Sequence, residues 1–215
     1  MHGQPAFDLT LYLVVGSDAV HGRAVTDVVG AAVRGGVTLV QLREKTLPDA
    51  DVIASARALV DLLGPLGIPL IVNDRVEVAI ATGAAGVHLG QDDRSAARAR
   101  TLLGPYGIIG VSAGNLAEAA TVSASLADYV GVGAVYPTAS KADAGLAIGI
   151  AGLQALQASL PLPVVAIGGI QASNATEVVA TGVAGIAVVS AICAADDPEG
   201  AARSLRQAIS VGRGV

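Results

Sequence analysis

Short runs rich in β-branched residues alternate with amphipathic stretches along the whole chain. The runs fall at 9–15, 37–43, 69–73, 86–89, 108–111, 129–135, 164–167 and 185–189, eight in all. Between the second and third, Val52, Ala56, Leu59 and Leu63 recur at helical spacing, and comparable segments cover roughly 25–36, 75–83, 94–103, 115–126, 150–160, 174–182 and 199–211. Regular alternation of strand and helix predicts right-handed crossovers and a parallel sheet. The glycine steps at Gly35-Gly36, Gly83 and Gly182 end predicted helices and read as structural stops.

Eight units in 215 residues leave about 27 residues each, which suits a small (β/α)8 TIM barrel. The competing architecture is an open doubly wound sheet. In an open sheet, chemistry gathers at one topological switch point. Here almost every predicted strand ends in polar residues: Gln41 to Lys45, Asn73-Asp74, Gln91 to Asp93, Ser112, Thr138 to Lys141, Gly168-Gly169 and Ser190. A ring of such ends is the barrel pattern. The expectation is therefore one α/β domain over 1–215, with residues 1–8 as a disordered tail and phosphate-binding loops after strands seven and eight.

Composition narrows the function classes. With 53% hydrophobic and 14% charged residues the chain can bury a large core. A net charge of −5 and 2% aromatics argue against nucleic-acid binding and favour a small-molecule substrate. The lone cysteine, Cys193, cannot form an internal disulfide, and Gln4, Asp8 and Asp18 interrupt any secretory signal, so a cytoplasmic location is expected. The uncharged stretch 178–195 contains Gly182, Gly185 and Ser190 and reads as a helix end, a turn and a buried strand rather than a membrane span. Low charge elsewhere leaves apolar helix faces that could pair in a homo-oligomer.

Alternation along the second strand points Gln41, Arg43 and Lys45 the same way, toward the barrel mouth. Two cations there suit an anionic substrate, because Arg grips a pair of phosphate oxygens and Lys supplies a point charge; the alternative is a surface salt bridge with Glu44. Asp74 and either Asp92 or Asp93 close neighbouring strands, where hard oxygen donors favour Mg2+ shared with a phosphate, although each could instead cap a helix. His88, inside a strand, reads as a satisfied buried histidine more readily than as a base. Gly168-Gly169 and Ser190 could bind phosphate through backbone N–H groups, or form mere turns. The loop 136–149, with Thr138, Ser140 and Lys141, could close over the mouth as a lid. Of 13 basic residues only Lys45 and Lys141 are lysines, and both fall at this end.

Taken together, Gln41-Leu42-Arg43-Glu44-Lys45, Val72-Asn73-Asp74, His88 to Asp93, Gly110-Val111-Ser112, Gly131 to Thr138, Lys141, Ile167 to Ile170 and Val189 to Ile192 resemble the thiamine phosphate synthase family, in order from about residue 11 to 192. The resemblance implies a transferase of thiamine biosynthesis that joins a hydroxymethylpyrimidine diphosphate to a thiazole phosphate and releases diphosphate. It implies Arg43, Lys45, Ser112 and Lys141 as catalytic residues, and Gln41, Arg43, Lys45, Asn73, Ser112 and Lys141 on the pyrimidine substrate. Thr138, Ala139, Ser140, Gly169, Val189 and Ser190 would take the thiazole phosphate, with Asp74 and Asp93 on Mg2+. Two positions depart from the family: Ser140 stands where a second Thr is usual, and Ala113-Gly114-Asn115 replaces a Thr-His that often follows the serine.

Three rival readings remain. A thiazole tautomerase has the same barrel but works through a histidine base, and the histidine after Ser112 is missing here while the cations and carboxylates are retained. A ligand-binding barrel without turnover is a different class. A Schiff-base aldolase would need a lysine desolvated inside a strand, whereas Lys45 and Lys141 sit in loops.

Overall fold

The computed structural model describes residues 7–90, 95–138 and 146–214. Eight parallel strands close into a barrel in sequential order: β1 (Leu11–Val15), β2 (Leu39–Leu42), β3 (Leu70–Asn73), β4 (Gly86–Leu89), β5 (Ile108–Ala113), β6 (Tyr129–Val132), β7 (Val164–Ile167) and β8 (Gly185–Val188), with β8 pairing back onto β1. The open-sheet alternative is excluded. Helices α1 (Val25–Arg34), α2 (Asp49–Leu63), α3 (Val76–Thr82), α4 (Ala96–Leu103), α5 (Leu116–Ala119), α6 (Gly149–Ser159) and α7 (Ala172–Ala180) form the crossovers. After β8 come a single turn, α8 (Ser190–Cys193), and the closing helix α9 (Pro198–Arg213).

Both faces of each strand are buried, which is why the strands read as nearly continuous apolar runs. Alternate residues sort into two cores. Leu11, Leu13 and Val15 of β1 face the helices, as do Val40 and Leu42 of β2. Tyr12, Val14, Leu39, Ile71, Ile108, Tyr129, Val165 and Ala187 fill the barrel interior instead. Gln41 shares the interior parity of Leu39 and is itself buried. The predicted stripe on α2 is the one that packs inward: Val52, Ala56, Leu59 and Leu63.

Helix ends follow local chemistry. Asp197 caps α9 by accepting from the Gly200 N–H at 3.0 Å, Pro198 takes the first turn, and Gly214 closes it at φ 71°. Ser95 caps α4, its hydroxyl accepting from the Arg98 N–H at 3.3 Å, while Asp92 and Asp93 lie outside the described residues. One predicted helix is much shorter than expected. The span 115–126 contains only Leu116–Ala119, because Thr121, Val122, Ser123 and Ser125 are poor helix formers and the two serine hydroxyls bond each other at 2.9 Å. The stretch 178–195 is the end of α7, a turn at Gly182, β8 and α8; among the described residues no helix is long and apolar enough to cross a membrane.

The expected tail divides at its inner end. Residues 1–6 lie outside the described residues, but Phe7 and Asp8 are anchored: the Phe7 ring meets Tyr129 edge-on at 6.0 Å, and Asp8 accepts from the Thr10 N–H at 2.8 Å. An aromatic ring plugging the barrel where its strands begin holds this part of the chain in place.

Candidate active site

A cavity of about 1230 Å³ opens where the strands end. It is lined by Gln41, Arg43, Lys45, Asn73, Asp74, Ser112, Thr138, Gly169, Val189 and Ser190, every predicted site residue that falls among the described ones. Asp93, Ala139, Ser140 and Lys141 lie outside the described residues, as does much of the predicted lid.

The turn after β2 separates two roles by alternation. Glu44 points away from the cavity and is buried, accepting from the Ser17 N–H at 2.6 Å and the Ser17 hydroxyl at 3.0 Å. It thereby ties the end of β2 to the loop after β1 and pairs with neither neighbouring cation. The Arg43 guanidinium, half-buried at the mouth, has no hydrogen bond or ion pair among the described residues. A guanidinium held in a cavity without a counter-ion is a preformed receptor for an anion.

Lys45 reaches Asp74 at 2.7 Å, its side chain 48% exposed and that of Asp74 21%. So exposed a pair contributes at most about 1 kcal/mol, so it opens readily when a ligand arrives. Asp74 itself sits at φ 62° with its N–H donating to the His88 carbonyl at 2.9 Å. It does not cap α3, whose N-terminus has no side-chain cap. Arg75 follows and turns outward to Asp49, at 2.8 Å, and to the Glu44 carbonyl, at 2.9 Å, bracing the turn.

Opposite these groups, the loops after β6 and β7 lie against each other. Gly168 and Gly169 adopt φ 101° and 66°, and a Cβ on Gly169 would come within 2.7 Å of the Pro137 carbonyl. The Tyr136 N–H donates to the Gly168 carbonyl at 3.0 Å. This close approach brings Thr138 to the same rim as Gly169, with Val189 and Ser190 entering from the end of β8. Among the described residues the cavity thus has a cationic side, where Arg43 and Lys45 follow β2 beside Asp74, and a facing side of glycine backbone and hydroxyls.

His88 is satisfied, as expected, but it is not hidden from the cavity. Its Nδ1 lies 3.0 Å from the Tyr129 hydroxyl and its Nε2 3.0 Å from Ser112 Oγ, and the ring lines the cavity floor. Tyr12 and Tyr129, also on the floor, were not anticipated. Their interior parity on β1 and β6 was available as a signal, since apolar strand interiors otherwise offer them no polar partner. Glu118 was missed too; it accepts from the Gly114 N–H at 2.7 Å and shapes the loop after β5. Cys193 packs inside, its thiol donating weakly to the Val14 carbonyl at 3.7 Å, and burial pushes its pKa up to about 12.

A parallel eight-stranded barrel that gathers cations, an amide, hydroxyls and glycine loops around one cavity at its strand ends is an enzyme of the TIM-barrel class acting on phosphorylated small molecules. The sequence comparisons carry this further. The model of the family described as thiamine monophosphate synthase matches residues 11–192, and the chain belongs to that family. It is 53% identical over 207 residues to a thiamine-phosphate synthase of Xanthobacter autotrophicus, covering 96% of this chain and 98% of that one. Against the thiamine-phosphate synthase of Azorhizobium caulinodans the identity is 51% over the same shares of the two chains. Among solved structures, a thiamine phosphate pyrophosphorylase from Pyrococcus furiosus superposes with a TM-score of 0.86 at 38% identity, covering 95% and 96% of the two chains. A native KDPGal structure, at 18% identity and TM-score 0.72, shares the fold alone.

Proposed function

We propose that this chain joins 4-amino-2-methyl-5-(diphosphooxymethyl)pyrimidine to a hydroxyethylthiazole phosphate, giving thiamine phosphate and diphosphate. The observation that carries the reading is the Arg43 guanidinium, without a counter-ion among the described residues, in a cavity larger than one small ligand needs. A cationic side and a facing hydroxyl side suit a diphosphate and a monophosphate held together.

The chemistry asks for charge stabilisation rather than a protein nucleophile. The bond between the pyrimidine methylene carbon and the diphosphate oxygen breaks, its electron pair leaving with diphosphate. The resulting pyrimidine cation is captured by the lone pair of the thiazole nitrogen, which becomes the positively charged ring nitrogen of the product. Arg43 and Lys45, with Lys141, stabilise the departing charge, as electrostatic groups fixed before reaction do most effectively. Gln41, Asn73 and Ser112 orient the pyrimidine. Thr138, Ala139, Ser140, Gly169, Val189 and Ser190 hold the thiazole phosphate, so that positioning supplies much of the remaining acceleration.

The donor set fits Mg2+: a partly exposed Asp74 carboxylate faces the cavity beside a cation that it can release. Asp74 and Asp93 would hold the ion, which when bound supplies further positive charge to the diphosphate. A cytoplasmic site of action, resting on the unpaired Cys193, and self-association through the low-charge helix faces belong to the same reading. The test is diphosphate release by purified protein given both heterocycles and MgCl2. Release that needs all three components is expected; none under any metal condition overturns the reading.

A further inference from the structure

The floor of the cavity carries a hydrogen-bonded chain of five side chains from five strands. Gln41 Nε2 donates to the Tyr12 hydroxyl at 2.7 Å, Tyr12 and Tyr129 hydroxyls meet at 2.8 Å, Tyr129 reaches His88 Nδ1 at 3.0 Å, and His88 Nε2 reaches Ser112 Oγ at 3.0 Å. The backbone makes room for it. Strand register sets His88, Gly110 and Tyr129 side by side across β4, β5 and β6, and a Cβ on Gly110 would fall onto the Tyr129 phenol and His88 Nδ1. One step nearer the mouth Ser112 pairs with Gly131, where a Cβ would stand 3.1 Å from His88 Cε1. Glycine at 110 is what lets two side chains touch across the strand between them.

With the Gln41 amide nitrogen set against Tyr12, the chain runs in one direction. An amide nitrogen only donates, so the Tyr12 oxygen accepts from Gln41. Tyr12 is buried and has no other side-chain partner among the described residues, so its proton goes to Tyr129, because a buried hydroxyl left unpaired is costly. By the same accounting Tyr129 donates to His88 Nδ1, which leaves the imidazole proton on Nε2, facing Ser112. Burial raises both phenols well above their ordinary range, so both keep the proton that the chain requires. At one end, the Gln41 amide is locked with its carbonyl oxygen and second N–H left for the cavity. Those two groups match the ring nitrogen and adjacent amine of an aminopyrimidine, in the bidentate manner by which an amide reads adenine. A 4-oxo pyrimidine presents the reversed pattern. Binding it equally well would require the amide to flip, which turns its carbonyl toward Tyr12 and forces every proton in the chain to reverse.

We propose that Tyr12, Tyr129 and His88 are positioning residues: their one-way hydrogen-bond chain holds Gln41 and Ser112 so that the site accepts an aminopyrimidine diphosphate and rejects its 4-oxo counterpart. This deepens the function proposed above and rests on its placement of Gln41 and Ser112 against the pyrimidine. Two measurements test it. The side-chain nitrogen NMR spectrum of the full chain should show His88 with a protonated Nε2 and an unprotonated Nδ1, and Tyr129→Phe should convert it to a mixture of tautomers. A wild-type Nδ1–H form, or a spectrum unmoved by Tyr129→Phe, overturns the chain. In steady-state kinetics, wild-type protein should prefer the amino over the 4-oxo pyrimidine diphosphate in kcat/KM by about 100-fold, and Tyr12→Phe should cut that ratio by about tenfold while leaving KM for the thiazole phosphate unchanged. An unchanged ratio in Tyr12→Phe overturns the proposal, and an unchanged ratio in Tyr129→Phe does so equally if Tyr12→Phe does not fold. If wild-type protein turns over neither pyrimidine, the function reading falls, while the histidine spectrum still tests the chain on its own.

Discussion

Arg100, where the strands begin, donates to the carbonyls of Gly104 and Gly107, at 3.0 and 2.6 Å, to that of Leu126 at 3.2 Å and to the Asp128 carboxylate at 2.8 Å. Arg43, at the opposite end, makes no such bond through its guanidinium among the described residues. Arg213 repeats the first pattern, tying Thr10 and the Ala184 carbonyl together beneath β1 and β8. Where the strands begin, these arginines are spent in holding the fold, whereas at the mouth Arg43 is left available among the described residues. The difference is the physical signature of a stability face and a reacting face in a parallel barrel.

The contrast is most exposed to test at the stability face. Asp128 is buried and accepts from both Arg100 and the Ile109 N–H, so Asp128→Ala leaves the part-buried guanidinium without its carboxylate and the buried Ile109 N–H without its acceptor. A loss of about 3–5 kcal/mol is expected in urea unfolding, with kcat per folded molecule unchanged. Arg43→Ala should do the converse: turnover falls by about 10²–10³-fold, near 3–4 kcal/mol in the barrier, while the melting temperature stays put. If Arg43→Ala lowers stability as much as Asp128→Ala does, the two faces are not distinct. Asp74→Asn should raise the Mg2+ concentration needed for half-maximal activity by about tenfold, on the scale of a weakened metal site, again without a change in melting.

Alkali separates the core from both faces. The Cys193 thiol, raised to about 12 mainly by burial, stays protonated in the folded chain when the unfolded chain has already lost the proton above about pH 9. Its contribution is complete below the unfolded value and is lost as pH climbs toward the folded one. Unfolding free energy measured in urea should therefore decline more steeply from pH 9 upward in the wild type than in Cys193→Ala. The raised phenols of Tyr12 and Tyr129 add a decline of the same sign, so the variant's curve flattens without becoming level. The smallest effect belongs to the exposed Arg34–Glu199 pair, at 2.9 Å, whose loss in Arg34→Ala should cost about 0.5 kcal/mol in the same assay.

Much of the site was legible because strand alternation and barrel closure make few demands on detail. Arg43 and Lys45, two residues apart after a buried strand, had to share a face, and Gln41 came with them. Asp74 was ambiguous between cap and ligand, since either use places a carboxylate just before a helix. Only the left-handed backbone at Asp74 and its contact with Lys45 removed the cap. The helix expected over 115–126 failed for a local reason that propensity could have shown, its run of Thr, Val and Ser. His88 was read correctly as satisfied, yet nothing local revealed that its partners come from β5 and β6.

The order of amino acids was enough to define the eight strand–helix units, the inward and outward faces of each strand and the polar character of the strand ends. These are short-range consequences of periodicities of 2 and 3.6 residues. Barrel closure decided the rest. It brought Tyr12 of the first strand within 2.8 Å of Tyr129 of the sixth, 117 positions away. It also fixed which cation found a carboxylate, Lys45 on Asp74, and which has no such partner among the described residues, Arg43. Contacts across a closed sheet depend on register and curvature summed over every strand, and no single segment of the chain carries that sum.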